Sequence, residues 1–131
     1  MILLKVVARS SWTIYATCTH RGICPLEEFL ADRSQLAKDK DRMLRRLEAM
    51  AEHGPQYLPE ISHQIETEIW QTEQGRVRVL WLYDRDRILV CSHGFIKRTR
   101  KTPESEKALA RQTLWTYRAA RAAGAVQIIE E

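Results

Sequence analysis

The sequence predicts an α+β domain: a small antiparallel sheet, made of an N-terminal strand plus a three-strand meander, packed by two N-terminal helices and followed by a C-terminal helix. Three observations predict it. Leu36, Met43, Leu44, Leu47, Met50 and Ala51 recur at helical spacing. From Ile65 onward the period changes to that of strands. Finally, Thr102-Pro103-Glu104 reads as the opening of another helix.

The elements follow in order. Ile2 to Val7 and Trp12 to Thr17 are rich in β-branched and aromatic residues, with Arg9-Ser10-Ser11 between them, so one hairpin or one long bulged strand fits. After the Gly22 turn, Pro25 suits the first position of a short helix, Leu26 to Asp32, whose Glu27 and Glu28 lie near its positive end. The helix of the Met43 and Leu47 pattern carries Lys and Arg on its other face and stops at Gly54-Pro55; its methionines and leucines are expected in the core. Glu66 to Trp70, Arg76 to Tyr83 and Ile88 to Ser92 read as three strands, joined at Glu73-Gln74-Gly75 and at Asp84-Arg85-Asp86-Arg87. In the middle strand Val77, Val79, Trp81 and Tyr83 point one way, and Arg76, Arg78, Leu80 and Leu82 the other. Thr102 is the expected N-cap of the last helix, Pro103 its first residue and Gly124 its C-terminal cap. Ala125 to Ile129 suit a short extra strand or a docking segment, and Glu130 and Glu131 are expected in solvent.

With 131 residues and 44% hydrophobic content, one domain with a modest core is expected. The run Met1 to Val7 is too short to span a bilayer, and no signal-peptide pattern is read, which suits a cytoplasmic protein. Cys18, Cys24 and Cys91 form an odd set without CxxC spacing and are expected as reduced thiols. Charge is uneven. Residues 76–121 hold 12 Lys or Arg against four Asp or Glu, a net +8, while residues 1–75 carry a net −2. Such asymmetry suits a polyanionic partner, although a solvated helix face would leave the same trace.

The segment His93-Gly94-Phe95-Ile96-Lys97-Arg98-Thr99-Arg100-Lys101-Thr102-Pro103 resembles the H-G-F-x-K-K-T-x-K-T-P block of the phage-derived, HigB-like branch of the RelE toxin superfamily. Glu106, Ala110 and Tyr117 fall where that branch's closing helix has Glu, Ala and Tyr; Val77 to Trp81 and Gly22 to Leu30 resemble its central strand and its opening. The resemblance covers residues 12–118 and differs at Trp70, where the branch has Arg, and at Arg98, where it has Lys. It implies a RelE-like fold in a single toxin domain, 1–131, with core 12–118 and a C-terminal extension 119–131. It further implies a type II toxin that cuts ribosome-bound mRNA without metal or cofactor. Its partners would be mRNA, the ribosome and a cognate antitoxin, a helix-turn-helix protein encoded beside it. A ParE-like toxin acting on DNA gyrase and a non-catalytic nucleic-acid-binding module are the alternatives.

Metal-free RNA cleavage requires help for the 2′-hydroxyl, for the charged phosphorane and for the leaving oxygen. His20, His53, His63 and His93 have no ligand spacing, so no metal is expected. Arg78 is the first choice for phosphorane stabilisation, with a cross-strand carboxylate partner such as Glu68 as the competing reading. Lys97 and Arg98 suit a clamp on adjacent phosphates. Glu68 suits a general base or, preferably, an orienter of Arg78, and His93 a general acid or a packed strand-end residue. Arg76, Arg100, Lys101, Lys107 and Arg111 are assigned to RNA or ribosome contact. Trp70 and Tyr83 suit base stacking or core, and Trp81 core.

Overall fold

A computed structural model describes residues 1–129; Glu130 and Glu131, expected in solvent, lie outside the described residues. The chain runs β1 (Ile2–Arg9), β2 (Thr13–Cys18), α1 (Pro25–Ala31), α2 (Ala37–His53), β3 (Ser62–Glu66), β4 (Ile69–Gln74), β5 (Val77–Asp84), β6 (Ile88–Ile96), α3 (Glu104–Ala122) and β7 (Val126–Ile129). These strands form one sheet in the order β3-β4-β5-β6-β2-β1-β7.

This corrects the predicted small antiparallel sheet. Among the described residues the sheet has seven strands and is mixed, because β2 pairs with β6 and β1 with β7 in parallel. Three local choices enlarge it. The N-terminal segment folds back as a hairpin, β1 against β2, with an irregularity between Val6 and Ala8. The run expected as one strand, Glu66 to Trp70, is broken by a turn at Thr67-Glu68, where Glu68 takes φ 65, so a further strand precedes the meander. Val126–Ile129 returns to the sheet, with the Ile2 amide donating to the Ala125 carbonyl at 2.9 Å. Pairing with the short β7 keeps β1 from being the edge strand of the sheet.

Helices cover both faces. Leu26 of α1 and Met43, Leu47, Met50 and Ala51 of α2 pack on Ile14, Ala16, Val77, Val79, Trp81 and Leu89. On the opposite face, Leu114 and Tyr117 of α3 pack on Ile2, Leu4, Tyr15, Leu82 and Val90, and Ala110 on Ile69, Leu80 and Phe95. Burying each of these larger side chains stabilises the fold by about 1.5–3 kcal/mol. The alternation read for β5 therefore divides two real cores, and α3 covers the second of them.

Three expectations about α2 and the cysteines are corrected. Leu44 is 39% exposed, and Lys40 occupies the buried stripe with Met43 and Leu47. Its stem is covered while Nζ donates to the Asp32 carbonyl at 2.8 Å and sits 4.6 Å from the centre of the Phe29 ring, so the charge is met inside the fold. Leu36 stands at the N-cap in a left-handed conformation, φ 49. Cys18 and Cys24 are not free thiols; a disulfide joins them. The turn at Thr19 to Ile23 brings them together: the Gly22 amide donates to the Thr19 carbonyl at 2.8 Å, and Gly22 takes φ 81. Cys91 is free and buried in the α2-side core, which pushes its thiol up to about 12. No helix among the described residues is long and apolar enough to cross a membrane.

Candidate nucleic-acid interface

The β4–β5 turn sets the geometry of the site. Gly75, at φ 59, opens a two-residue loop with Arg76, so Gln74 pairs with Val77 and Glu73 with Arg78. The expected turn, Glu73-Gln74-Gly75, lay one residue early, and that offset hid the partner of Arg78. Arg78 is only 6% exposed. Its Nη1 donates to the Gly75 carbonyl at 2.6 Å and the Val77 carbonyl at 3.1 Å, and its Nε lies 3.4 Å from Glu73 Oε1. Glu73 also accepts from Gln71 Nε2 at 3.2 Å and has His63 Nε2 at 3.8 Å.

Glu68 is not the carboxylate that holds Arg78. It sits at the tip of the β3–β4 turn and pairs with Arg118 of α3 at 2.8 Å. The reason is local: once Thr67-Glu68 forms the turn, Glu68 is no longer a mid-strand residue.

His93 is buried, with Nδ1 2.8 Å from Ser92 Oγ and Nε2 3.1 Å from Glu106 Oε1; Ser92 Oγ lies 2.9 Å from Thr113 Oγ1. A register shift makes this possible. Leu80 pairs with His93 and Trp81 with Cys91, which leaves Ser92 as the extra residue of a bulge and turns Ser92 and His93 both toward α3. Burial holds the imidazole below its ordinary pKa against the pull of the Glu106 carboxylate. Gly94 is needed because a Cβ there would lie 2.5 Å from the Phe29 ring of α1. Phe95 is buried beside Ala110. The His93-Gly94-Phe95 part of the motif thus fastens the sheet to helices on both faces.

The rest of the motif faces outward. The Lys97 amide donates to the Arg76 carbonyl at 2.7 Å and Arg76 Nε to the Lys97 carbonyl at 3.4 Å, which sets Lys97 beside the exposed Arg76. Arg98, Arg100 and Lys101 follow in an exposed loop. Thr99 Oγ1 closes that loop on the Lys101 carbonyl at 2.7 Å. Thr102, expected as the N-cap of α3, instead donates from Oγ1 to Gln71 Oε1 at 2.8 Å. Pro103 takes the cap position, its carbonyl accepting from the Glu106 and Lys107 amides. This shift anchors the basic loop to β4.

The fold sorts the net +8 segment into two groups. Arg78, Arg111, Arg118 and Arg121 are paired: Arg111 Nη1 reaches both Glu66 oxygens at 3.0 and 3.1 Å and its other nitrogen bonds Glu104, while Arg121 meets Asp84 at 2.7 Å. Among the described residues, Arg76, Arg85, Arg87, Lys97, Arg98, Arg100, Lys101 and Lys107 have no ion pair. Arg111, expected at the RNA, ties α3 to β3; of the cations without an ion pair, Arg85 and Arg87 lie at the β5–β6 turn, and most of the others lie at Arg76 and the β6–α3 loop.

Trp81 is core, its Nε1 donating to Thr72 Oγ1 at 2.8 Å. Trp70 stacks on it at 5.6 Å and meets Tyr83 edge-on at 5.4 Å. Sequence reasoning missed the other aromatic residues of this end: Trp12, His53 and Tyr57 line, with Tyr83, a hollow of about 400 Å³.

A family model described as phage derived protein Gp49-like (DUF891) matches residues 33–114, more than half of the chain, and the chain belongs to that family. The match runs from just before α2 into α3 and includes the turn, the bulge and the basic loop. The family is part of the toxin group of toxin–antitoxin systems, and membership implies a cognate antitoxin as partner. A search of curated proteins finds no match.

Proposed function

We propose that this chain, as a single toxin domain, is the toxin of a type II toxin–antitoxin pair and a RelE/HigB-like endoribonuclease that cuts mRNA on the ribosome, arresting translation and growth. The observation that carries this reading is the set of cations without an ion pair among the described residues, Lys97, Arg98, Arg100 and Lys101 on a loop pinned by Thr99 and Thr102, with Arg76 of the β4–β5 turn beside Lys97. Its setting is the cytoplasm.

In this reading the 2′-oxygen attacks the adjacent phosphorus and gives up its proton, the bond to the 5′-oxygen breaks, and that oxygen takes up a proton. The products are a 2′,3′-cyclic phosphate and a 5′-hydroxyl. Lys97 and Arg98 hold the phosphate and stabilise the added negative charge of the phosphorane. Arg76, Arg100, Lys101 and Lys107 hold flanking phosphates. Burial gives Arg78 a positioning part: by binding the Gly75 carbonyl it keeps the turn that presents Arg76 beside Lys97. Glu68 and His93, engaged with Arg118 and with Ser92 and Glu106, support the frame.

Purified chain, added to ribosomes translating a defined message, tests this by mapping new 5′ ends. Cleavage that disappears in Lys97→Ala/Arg98→Ala, with an unchanged melting temperature, supports it. Intact message together with inhibited gyrase supercoiling would establish the ParE-like alternative, and normal growth on induction would leave only a binding module.

A further inference from the structure

On α2, Arg42, Arg45 and Arg46 stand at i, i+3 and i+4, a spacing that puts three like charges on one side of the helix, where they repel one another. Together with Gln74 at the end of β4 they line a hollow of about 390 Å³, and no carboxylate lines it. Arg42 is the only one of the three with an ion pair among the described residues, a contact with Asp39 at 3.4 Å. Arg46 Nε is buried with no hydrogen-bond partner among the described residues. The contrast with α3 is direct: Arg111, Arg118 and Arg121 each meet a carboxylate.

The hollow lies beside the β4–β5 turn, with Gln74 in its lining and Gly75 and Arg76 next in the chain. Asp39 of α2 sits against Gly75, so tightly that a Cβ there would lie 2.5 Å from Asp39 Oδ2. Gln74, Gly75 and Arg76 are consecutive, and Arg76 is backbone-paired with Lys97. One turn therefore separates the α2 arginines from Arg76 and Lys97.

We propose that this hollow binds a phosphodiester of RNA and extends the RNA track from the β6–α3 loop across the β4–β5 turn onto α2. A phosphate can accept from two guanidinium groups at once, and it supplies the charge that relieves the repulsion. The lining has no apolar side chain to favour a helical protein partner. The inference rests on the RNA-cutting reading for the source of the phosphate, which is either ribosomal RNA or the message.

The test measures binding of the full chain to empty ribosomes, to ribosomes programmed with a message, and to a free 16-nucleotide RNA, each over a series of salt concentrations. Four proteins are compared: wild type, Arg42→Gln/Arg45→Gln, Lys97→Ala/Arg98→Ala, and Arg85→Gln/Arg87→Gln. The last removes the same charge at the exposed β5–β6 turn, the other end of β5. Arg42 and Arg45 are exposed, so their replacement leaves the fold intact, and Arg45→Lys, which keeps the charge, serves as a second check.

The α2 variant is expected to bind about tenfold more weakly at physiological salt and to lower the slope of log affinity against log salt by about one to two, with the turn variant unchanged. Loss on empty ribosomes assigns the phosphate to ribosomal RNA, and loss only on programmed ribosomes or free RNA assigns it to the message. An unchanged slope in the α2 variant beside a reduced one in Lys97→Ala/Arg98→Ala overturns the hollow and spares the RNA reading. Unchanged slopes in both overturn the two together. Weakened binding of the cognate antitoxin with normal RNA binding would make the hollow a protein site and also overturn the proposal.

Discussion

Arg78 and Glu73 face each other across the β4–β5 register, with Nε 3.4 Å from Oε1 and the arginine almost wholly enclosed. Removing the guanidinium leaves a carboxylate and two carbonyl oxygens without their partner. Breaking such a pair from the buried side destabilises, because the Gly75 and Val77 carbonyls lose a donor and Glu73 loses its cation. Arg78→Ala is expected to cost about 2–3 kcal/mol, a fall of roughly 6–12 °C in Tm for a domain of this size. Lys97→Ala, in the open loop, should move Tm by less than about 2 °C. Thermal melts of both decide this, and an Arg78→Ala protein as stable as wild type would show that the pair carries no structure.

His93 makes stability depend on pH. Its folded pKa lies below the ordinary 6.5, chiefly through burial. Below pH 6.5 the unfolded chain takes up a proton that the folded chain refuses, so stability is lost as pH falls from there toward the folded value. Wild type should lose more Tm between pH 7 and pH 5.5 than His93→Gln, which cannot titrate. Parallel curves for the two proteins would contradict it.

Gly94 accommodates the Phe29 ring, and the Arg78 carbonyl lies 3.3 Å from where its Cβ would be. Gly94→Ala is therefore expected to cost about 1–3 kcal/mol by overpacking. Combining it with Phe29→Ala should recover part of that loss, since the second change removes the clashing ring. The measurement is a double-mutant cycle on unfolding free energies, and strict additivity would mean the two residues are not in contact.

The cysteines give a count that chemistry can read. Folded, unreduced protein should react with no thiol reagent, since Cys91 is buried and Cys18 and Cys24 are joined. One label should appear after denaturation without reductant and three after denaturation with it, by intact mass. Three labels without reductant would exclude the bond.

Much of the fold is legible from local pattern. Pro25, the Met43-to-Ala51 stripe with Gly54, and Pro103 with Gly124 mark three helices closely, because helix periodicity and end chemistry are written in neighbouring residues. The alternation of β5 and the cations of the β6–α3 loop are visible in the same way. What the sequence alone misplaced depends on contacts between distant segments. No local signal joins Thr13–Ala16 to Ile88–Cys91 in parallel, yet that pairing turns a small meander into a seven-stranded sheet. The Gly75-Arg76 turn puts Glu73 opposite Arg78, since a strand's partners change with every step of register, and the Thr67-Glu68 turn takes Glu68 out of the strand. The bulge at Ser92 turned His93 inward. Tertiary structure also divided the positive charge, because whether an arginine is open to a phosphate depends on which carboxylate the fold brings within reach: Glu66 for Arg111, Glu68 for Arg118, none for Lys97 or Arg98 among the described residues.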